Sequence, residues 1–535
     1  MTSLQTDPWI APARHAHSRR VAEDWDGPSW PPRFRLVLRI GGAVVCTLWL
    51  VGMVAFSTFL YHRANLTADF ASYNQAWTLI GQGHLNPFDT IWLDHVPFVR
   101  NDFELIIWPL ALLHVVYPQP VILLWVQDLA VAAGGFVAYL WITEVLERRR
   151  VHRVVALAVG VTALAVIIAN PGVYQTLLFD FHIEPISTLF VVLAGRDLWL
   201  GHHRRAWIWI AVTLLCGSFA AIMVIGLGIS ALLAGSSTRR SGLLLVVAGV
   251  GWLGLITLVG ANAGSALNYY AYLAGRTTLP AGGGIALILI GMLSHPSRVI
   301  DQLHLRMHYI WVLVKPVGIV GLASAWGFGL PVTVLVVNAL NSQYGFIFLP
   351  FQSFVVFPFI LVGTVMVLVW VAQSINWGWV PAVVVAVVVT ATALAYGIDT
   401  SPGNIRYGAG MVGPAQAHQL RTALSLTPPQ AQVIATIGIM GRFSGRQPAY
   451  FYQPFHTFTV AARPVVFVFD PANENTVPFA DPADDEAASA YVSNVLHART
   501  LVDAAGVTAF SWRPPPGVDT VTLPGAPKAA AGASS

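Results

Sequence analysis

The chain has 535 residues, 56% of them hydrophobic and only 10% charged, with a net charge of +4. Soluble domains carry about 25% charged residues, so this balance excludes a soluble globular protein and points to a chain that spans a membrane many times. The positive charge is no nucleic-acid footprint, because basic residues flanking spans are what the positive-inside rule places there, and no nucleic-acid partner is expected.

Residues 1–35 are polar and Pro-rich and lack a short apolar core followed by a small-residue cleavage site, so they read as a disordered cytoplasmic tail. Arg33, Arg35 and Arg39 precede a first span at 36–61, which puts the N-terminus in the cytoplasm and residues 62–104 outside. The stretch 104–120 has about 14 apolar residues before Tyr117-Pro118, short for a span, and reads as an interfacial or re-entrant helix. Residues 121–143 cross inward to the basic run ERRRVHR, and 154–170 return outward to the break Asn170-Pro171-Gly172. A further span begins at Pro185, and 207–235 is one long span or two short ones meeting near Cys216-Gly217-Ser218. Both cysteines, Cys46 and Cys216, lie in apolar segments, which excludes a stapled external loop and zinc-type spacing.

Span 242–260 leads to an outer loop, 261–307, in which 296–311 has the pattern of an amphipathic surface helix. More spans are expected near 309–325, 328–340, 352–373 and 378–397, giving about eleven and a C-terminus outside. The polytopic transmembrane domain thus covers 36–400. From 401 to 523 the pattern becomes that of a small extracytoplasmic α/β domain, with strand-like AQVIATIG, PVVFVFD and VTAFSW, a helix-like run EAASAYVSNVLHARTLVDAAG, and a disordered tail at 524–535. The fold class is mainly α: a multi-pass membrane helical bundle with a C-terminal α/β domain.

Five stretches carry a family likeness: DFASYNQAW (69–77), FDFHIEP (179–185), the Pro-interrupted 311–343, SFVVFPFILVG (353–363) and 426–452. The pattern resembles a family of bacterial and archaeal membrane proteins, the domain of unknown function 2079, with FDFH its most specific part. That family is in turn similar to GT-C-fold glycosyltransferases, which take sugars from polyprenyl-phosphate carriers on the outer face and use an acidic residue of the first outer loop. The resemblance implies membrane lipids and a polyprenyl-phosphate sugar as partners. The chain departs from the family at two places. Asp102-Phe103-Glu104-Leu105 stands where the family carries His-Phe-Ser-Pro, and Cys216-Gly217-Ser218 where it carries Lys-Glu-Asp. Either both motifs face one cavity and the charge has moved, or the protein has lost catalysis.

Sugar transfer to a hydroxyl needs a base to remove the acceptor proton as the donor phosphate leaves. Asp69, about eight residues past the first span, is the candidate, with Tyr73 and Trp77 at helical spacing to hydrogen-bond and stack on a sugar. The plainer reading is a helix cap with Trp77 in the aromatic belt. If 180–184 is extended, Asp180, His182 and Glu184 share one face and could hold a divalent cation such as Mg or Mn, or orient an acceptor; the plainer reading is a polar rim on the helix at Pro185. His182 is a catalytic candidate, with Asp102 and Glu104 opposite. Arg63, Arg100, Arg276 and Arg406 could grip the carrier phosphate or contact headgroups, with Arg100 and Arg406 assigned to the substrate. His304 and His308 fit a solvated helix face better than a metal, and GRFSGR (441–446) reads as a surface loop. The expectation is a polyprenyl-phosphate-dependent glycosyltransferase. A non-catalytic scaffold or lipid-binding partner is the alternative and a transporter a third option.

Overall fold

The apolar runs become helices whose breaks fall at proline and glycine. A computed structural model describes residues 30–63, 65–93, 95–101, 103–178, 180–260, 267–280, 284–342, 350–374, 383, 387, 411–460, 463–471 and 481–526. In chain order come α1 (Pro32–Arg63), α2 (Ala68–Gly81), α3 (Ile107–Val116), α4 (Val121–Arg148), α5 (Arg153–Ile168), α6 (Pro171–Leu178) and α7 (Glu184–Leu200). They are followed by α8 (His203–Leu214), α9 (Ser218–Ala234), α10 (Ser236–Leu258), α11 (Gly284–Ser294), α12 (Pro296–Val314), α13 (Ala325–Leu340) and α14 (Val356–Ser374). Among the described residues α1, α4, the run through α5 and α6, α10 and α14 are long and apolar enough to cross a membrane, and α3, α9 and α13 are shorter apolar helices.

The stretch 207–235 is two helices. Gly217 breaks it at φ 98°, a conformation a side chain would strain. The span expected at 309–325 does not form. α12 continues to Val314, Lys315-Pro316 ends it, and two 3₁₀ turns, Lys315–Val317 and Ile319–Ala323, carry the chain to α13. His304 and His308 are exposed on α12. The span expected at 378–397 lies almost wholly outside the described residues, and Asp102 and Arg406 lie outside them entirely.

The helices pack around a core in which Trp141 is fully buried and meets Trp326 and Phe359 edge-on. At one end of the bundle the charges pair with one another. Arg196 bonds Glu144 through two nitrogens, Nε at 2.9 Å; Arg35 lies 3.4 Å from Glu147; and buried Asp197 takes Trp209 Nε1 at 2.9 Å and Arg205 Nε at 3.3 Å. That end joins the start of α1, the end of α4 and the end of α7, so the opposite ends of the same helices meet on the far side of the bundle.

The loop after α2 holds a short antiparallel pair, β1 (Phe88–Asp89) and β2 (Val96–Pro97). The C-terminal region contributes α15 (Pro414–Leu426), β3 (Gln432–Ala435), β4 (Ala449–Phe451), β5 (Thr457–Thr459), β6 (Val465–Phe469), α16 (Pro482–Asn494), β7 (Arg499–Ala504), β8 (Val507–Trp512) and β9 (Thr520–Thr522). The five-stranded sheet runs β4-β3-β6-β8-β7, with β3 parallel to both neighbours and β8 antiparallel to both of its own. Every residue of β6 is buried, as a central strand covered on both faces requires. Leu420 and Ala423 of α15 pack on one face and Ala488 and Val492 of α16 on the other. The long helix expected through 486–506 stops at Asn494. The chain turns at His497 (φ 51°), and Arg499–Ala504 pairs with β8 instead.

α9 and α10 cross at glycine. A Cβ on Gly242 would sit 2.7 Å from the Gly228 carbonyl and 2.7 Å from the Leu232 nitrogen, both backbone atoms that cannot swing aside. Small residues at such a crossing let helices approach without a hydrophobic driving force. Gly242→Val is expected to destabilise the protein by about 1–3 kcal/mol, the usual cost of overpacking. Gly251→Ala, where nothing lies within 4 Å, should not. Thermal unfolding in detergent decides it: equal midpoints for the two variants would reject the close-crossing account.

Candidate active site

At the far end of the bundle the chain leaves α1, passes Thr67 and starts α2. Thr67 caps α2, accepting from the Asp69 N–H at 3.4 Å. Thr67 in turn donates its own N–H to Asp180 Oδ2 at 2.8 Å and its hydroxyl to the same oxygen. A buried carboxylate thus holds the first turn of α2, where the helix dipole favours negative charge. Burial pushes the Asp180 carboxyl up to about 6, against the Thr67 and Phe70 hydrogen bonds and the charge of Arg442.

This joint brings the two sequence-predicted acidic stretches together. His182 Nε2 lies 4.0 Å from Asp69 Oδ2, and its Nδ1 lies 3.7 Å from Glu184 Oε2. The ring is buried, which pushes the imidazole down to about 3 and leaves it neutral at pH 7. Its position is set from both sides, because the His182 main-chain N–H donates to Gln127 Oε1 at 2.8 Å and the ring meets Tyr73 edge-on with centroids 6.0 Å apart. The Asp69 side chain is 40% exposed, against 8% for His182 and 10% for Glu184. Asp69 is therefore the group of this trio that an incoming molecule meets first.

Tyr73 lies one turn along α2 from Asp69 and donates its hydroxyl to Glu104 Oε1 at 3.0 Å. Phe103, at φ 56° and packed edge-on against Trp252, fixes the turn that presents Glu104. The main chain joins the two departing motifs: Ile106 N–H donates to the Leu215 carbonyl at 2.9 Å, and both Glu104 and Glu184 exert their charge on Cys216. Glu104 therefore lies on the side of the fold that holds Cys216-Gly217-Ser218.

Other expectations need correction. Segment 180–183 is not a strand, and Glu184 opens α7 with Pro185 in its first turn, so period-two alternation does not apply. Asp180 turns to Thr67 while His182 turns to Asp69 and Glu184. Among the described residues no group of three His, Cys, Asp or Glu is arranged to hold a metal ion. Trp77 is fully buried and donates its indole N–H to the Leu110 carbonyl at 2.9 Å, so it packs α2 onto α3 rather than offering a sugar a flat face. Arg100 stands exposed on the short helix Phe98–Asn101, and Arg276 is also exposed. Arg63 Nε instead bonds the Val412 carbonyl at 2.9 Å.

GRFSGR is not a surface loop. Gly441, Phe443 and Ser444 are buried against α2, the Gly441 N–H donates to the Leu66 carbonyl at 2.8 Å, and Asn74 bonds both Gly441 O (3.1 Å) and Ser444 Oγ (2.9 Å). Arg442 from this segment donates to the Tyr61 carbonyl at 2.8 Å and acts on Asp180. Burial lowers its guanidinium to about 10, still cationic at pH 7. Gln127 and Arg442 are the site residues that sequence reasoning missed. A polar Gln127-Asp128 pair inside an apolar run was the available signal for the first; nothing local marked the second.

Asp180→Ala leaves the Thr67 donors without their acceptor and should cost about 1–3 kcal/mol, whereas Asp180→Asn keeps an acceptor and should cost less. The folded carboxyl, at about 6, lies above its ordinary 3.8. Its stabilising contribution is therefore full below pH 4 and lost as pH rises through 6. Between pH 7 and 5 the wild type should gain stability relative to Asp180→Asn. Melting curves at the two pH values test this, and a constant difference between the proteins would refute it.

The family described as predicted membrane protein (DUF2079) matches residues 65–476, and the chain belongs to it. No curated protein matches the sequence. Among solved structures the chain is similar to ArnT from Cupriavidus metallidurans bound to undecaprenyl phosphate, at 11% identity and TM-score 0.42, over 88% of this chain and 98% of that one. It is likewise similar to the apo state of the same protein, at 11% identity and TM-score 0.41, over 87% and 98%.

Proposed function

We propose that this DUF2079 membrane protein is a GT-C-type glycosyltransferase that moves a sugar from a polyprenyl-phosphate donor to a cell-envelope acceptor on the extracytoplasmic face. The observation that carries this reading is the 4.0 Å approach of His182 to Asp69, two groups 113 positions apart in the chain, at the bundle end away from the paired arginines. The positive-inside rule assigns the Arg-rich end to the cytoplasm, which leaves the carboxylate cluster outside, within reach of a lipid-borne donor and a wet acceptor.

In this reading Asp69 takes the proton of the acceptor hydroxyl. The acceptor oxygen forms the new bond to the sugar's anomeric carbon while the carbon–oxygen bond to the carrier phosphate breaks, and that oxygen's electron pair leaves on the polyprenyl phosphate. His182 is neutral at pH 7 and orients Asp69 rather than adding a positive charge. Tyr73 and Glu104 supply a hydroxyl and a carboxylate for the acceptor's other hydroxyls. Arg442 gives the site a buried cation on the Asp180 side. Arg100 and Arg406 remain candidates for contact with the lipid headgroup region. No step in this scheme calls on a divalent cation.

Asp69→Asn removes the base and keeps the shape. It should lower transfer from a polyprenyl-phosphate sugar by about a hundredfold or more, the range general-base catalysis spans. His182→Gln should lower the rate less and change its pH profile. Transfer of radiolabelled sugar in membranes containing each variant is the measurement. Full activity in Asp69→Asn would reject the role of the carboxylate and favour a scaffold or lipid-binding role.

A further inference from the structure

A second site lies at the other end of α2. A cavity of about 740 Å³ opens between the last turn of that helix and the C-terminal region. Its wall includes Arg446, Arg463, His84 and His95, and among the described residues that line it there is no aspartate or glutamate. In a chain with 25 carboxylates against 29 Lys and Arg, a cavity this size whose charged lining groups are both arginines is a biased surface.

The two guanidiniums are held by main-chain carbonyls, which orient a charge without cancelling it. Arg446 Nη1 donates to the Pro428 carbonyl at 2.7 Å and Arg463 Nη1 to the Gln447 carbonyl at 3.2 Å. Arg446 Nε is buried and has no hydrogen-bond partner among the described residues. The remaining wall mixes amide and hydroxyl groups (Gln82, Gln447, Thr459) with the apolar edges of Leu79, Pro429 and Pro448. That mixture suits a sugar, whose ring has apolar faces and a hydroxyl rim. The volume falls within the roughly 300–1,000 Å³ of ordinary ligand sites.

We propose that this cavity binds an anionic glycan, one carrying phosphate or carboxylate groups, with Arg446 and Arg463 as the anion contacts. The proposal deepens the transferase reading by naming the chemistry of the acceptor. Gln82 and Asp69 are 13 positions apart on α2, about 20 Å along its axis at 1.5 Å per residue. The cavity and Asp69 thus sit at the two ends of one helix.

Binding is measured on the full-length protein in detergent, without donor, so the result does not depend on turnover. The probes for calorimetry are digalacturonate and glucose 6-phosphate, with maltose and inorganic phosphate as comparisons. Both charged sugars should bind, more weakly as salt rises, and maltose should not. Arg446→Gln should weaken binding about tenfold, as loss of a charge-assisted contact does. Gln82 is exposed, so Gln82→Glu adds a carboxylate to the wall without disturbing the fold and should weaken binding several-fold. The proposal is overturned if neither charged sugar binds the wild type, if maltose binds as well as they do, if phosphate alone binds as tightly as glucose 6-phosphate, or if both variants bind like the wild type.

Discussion

The joint between Asp180 and Thr67 is the contact on which the polar end of this molecule depends. It ties the segment between α6 and α7 to the first turn of α2, and it does so with a carboxylate placed where the helix dipole favours one. Asp69 and His182 stand beside this tie: Asp69 follows Thr67 by two residues, and His182 follows Asp180 by two. The two stretches are far apart in the sequence, with two spanning runs, α4 and the run through α5 and α6, between them.

The same helix is also the bridge between the bundle and the C-terminal region. Towards the bundle, Trp77 bonds the Leu110 carbonyl and Tyr73 meets Phe181 edge-on. Towards the C-terminal region, Asn74 bonds Gly441 and Ser444, while Gln75 bonds Thr90 Oγ1 at 2.9 Å and the Arg446 carbonyl at 2.7 Å. Thr90 completes the network by donating to the Ala449 carbonyl at 2.8 Å. Buried amides in a satisfied network specify one arrangement more strictly than apolar contact does, since a shift leaves donors unmet. α2 is therefore held along its whole length, from Asp69 at one end to the cavity beside Gln82 at the other.

How far this was legible in the sequence follows from which signals are local. The run of apolar blocks marked the bundle, Asp69-Tyr73-Trp77 had the spacing of a helix, and Asn170-Pro171 and Cys216-Gly217 had the chemistry of breaks. Each of those signals lies within a few residues of its effect. What failed depended on distant partners. Trp77 looked like a ligand surface until α3 covered it. The 180–184 stretch looked extended because Pro185 hid that α7 starts at Glu184. GRFSGR looked like a solvent loop because nothing in those six residues says that α2 lies beneath them. The strand Arg499–Ala504 read as helix until β8 supplied its pairing edge, which is the usual way tertiary context overrides local propensity.

The two ends of the bundle treat carboxylates differently. At one end Glu144, Glu147 and Asp197 face arginines, the arrangement that neutralises a charge and fixes helices together. At the other, Asp69 and Glu184 flank a buried imidazole and Glu104 takes a tyrosine hydroxyl, while Asp180 takes a threonine with Arg442 acting from one side. The two ends therefore hold their carboxylates by different chemistry: ion pairs with arginine at one, and hydroxyl donors with a neutral imidazole nearby at the other. Ionisable groups at a membrane edge are costly to hold, and a hydroxyl donor offsets part of that cost without bringing a second charge.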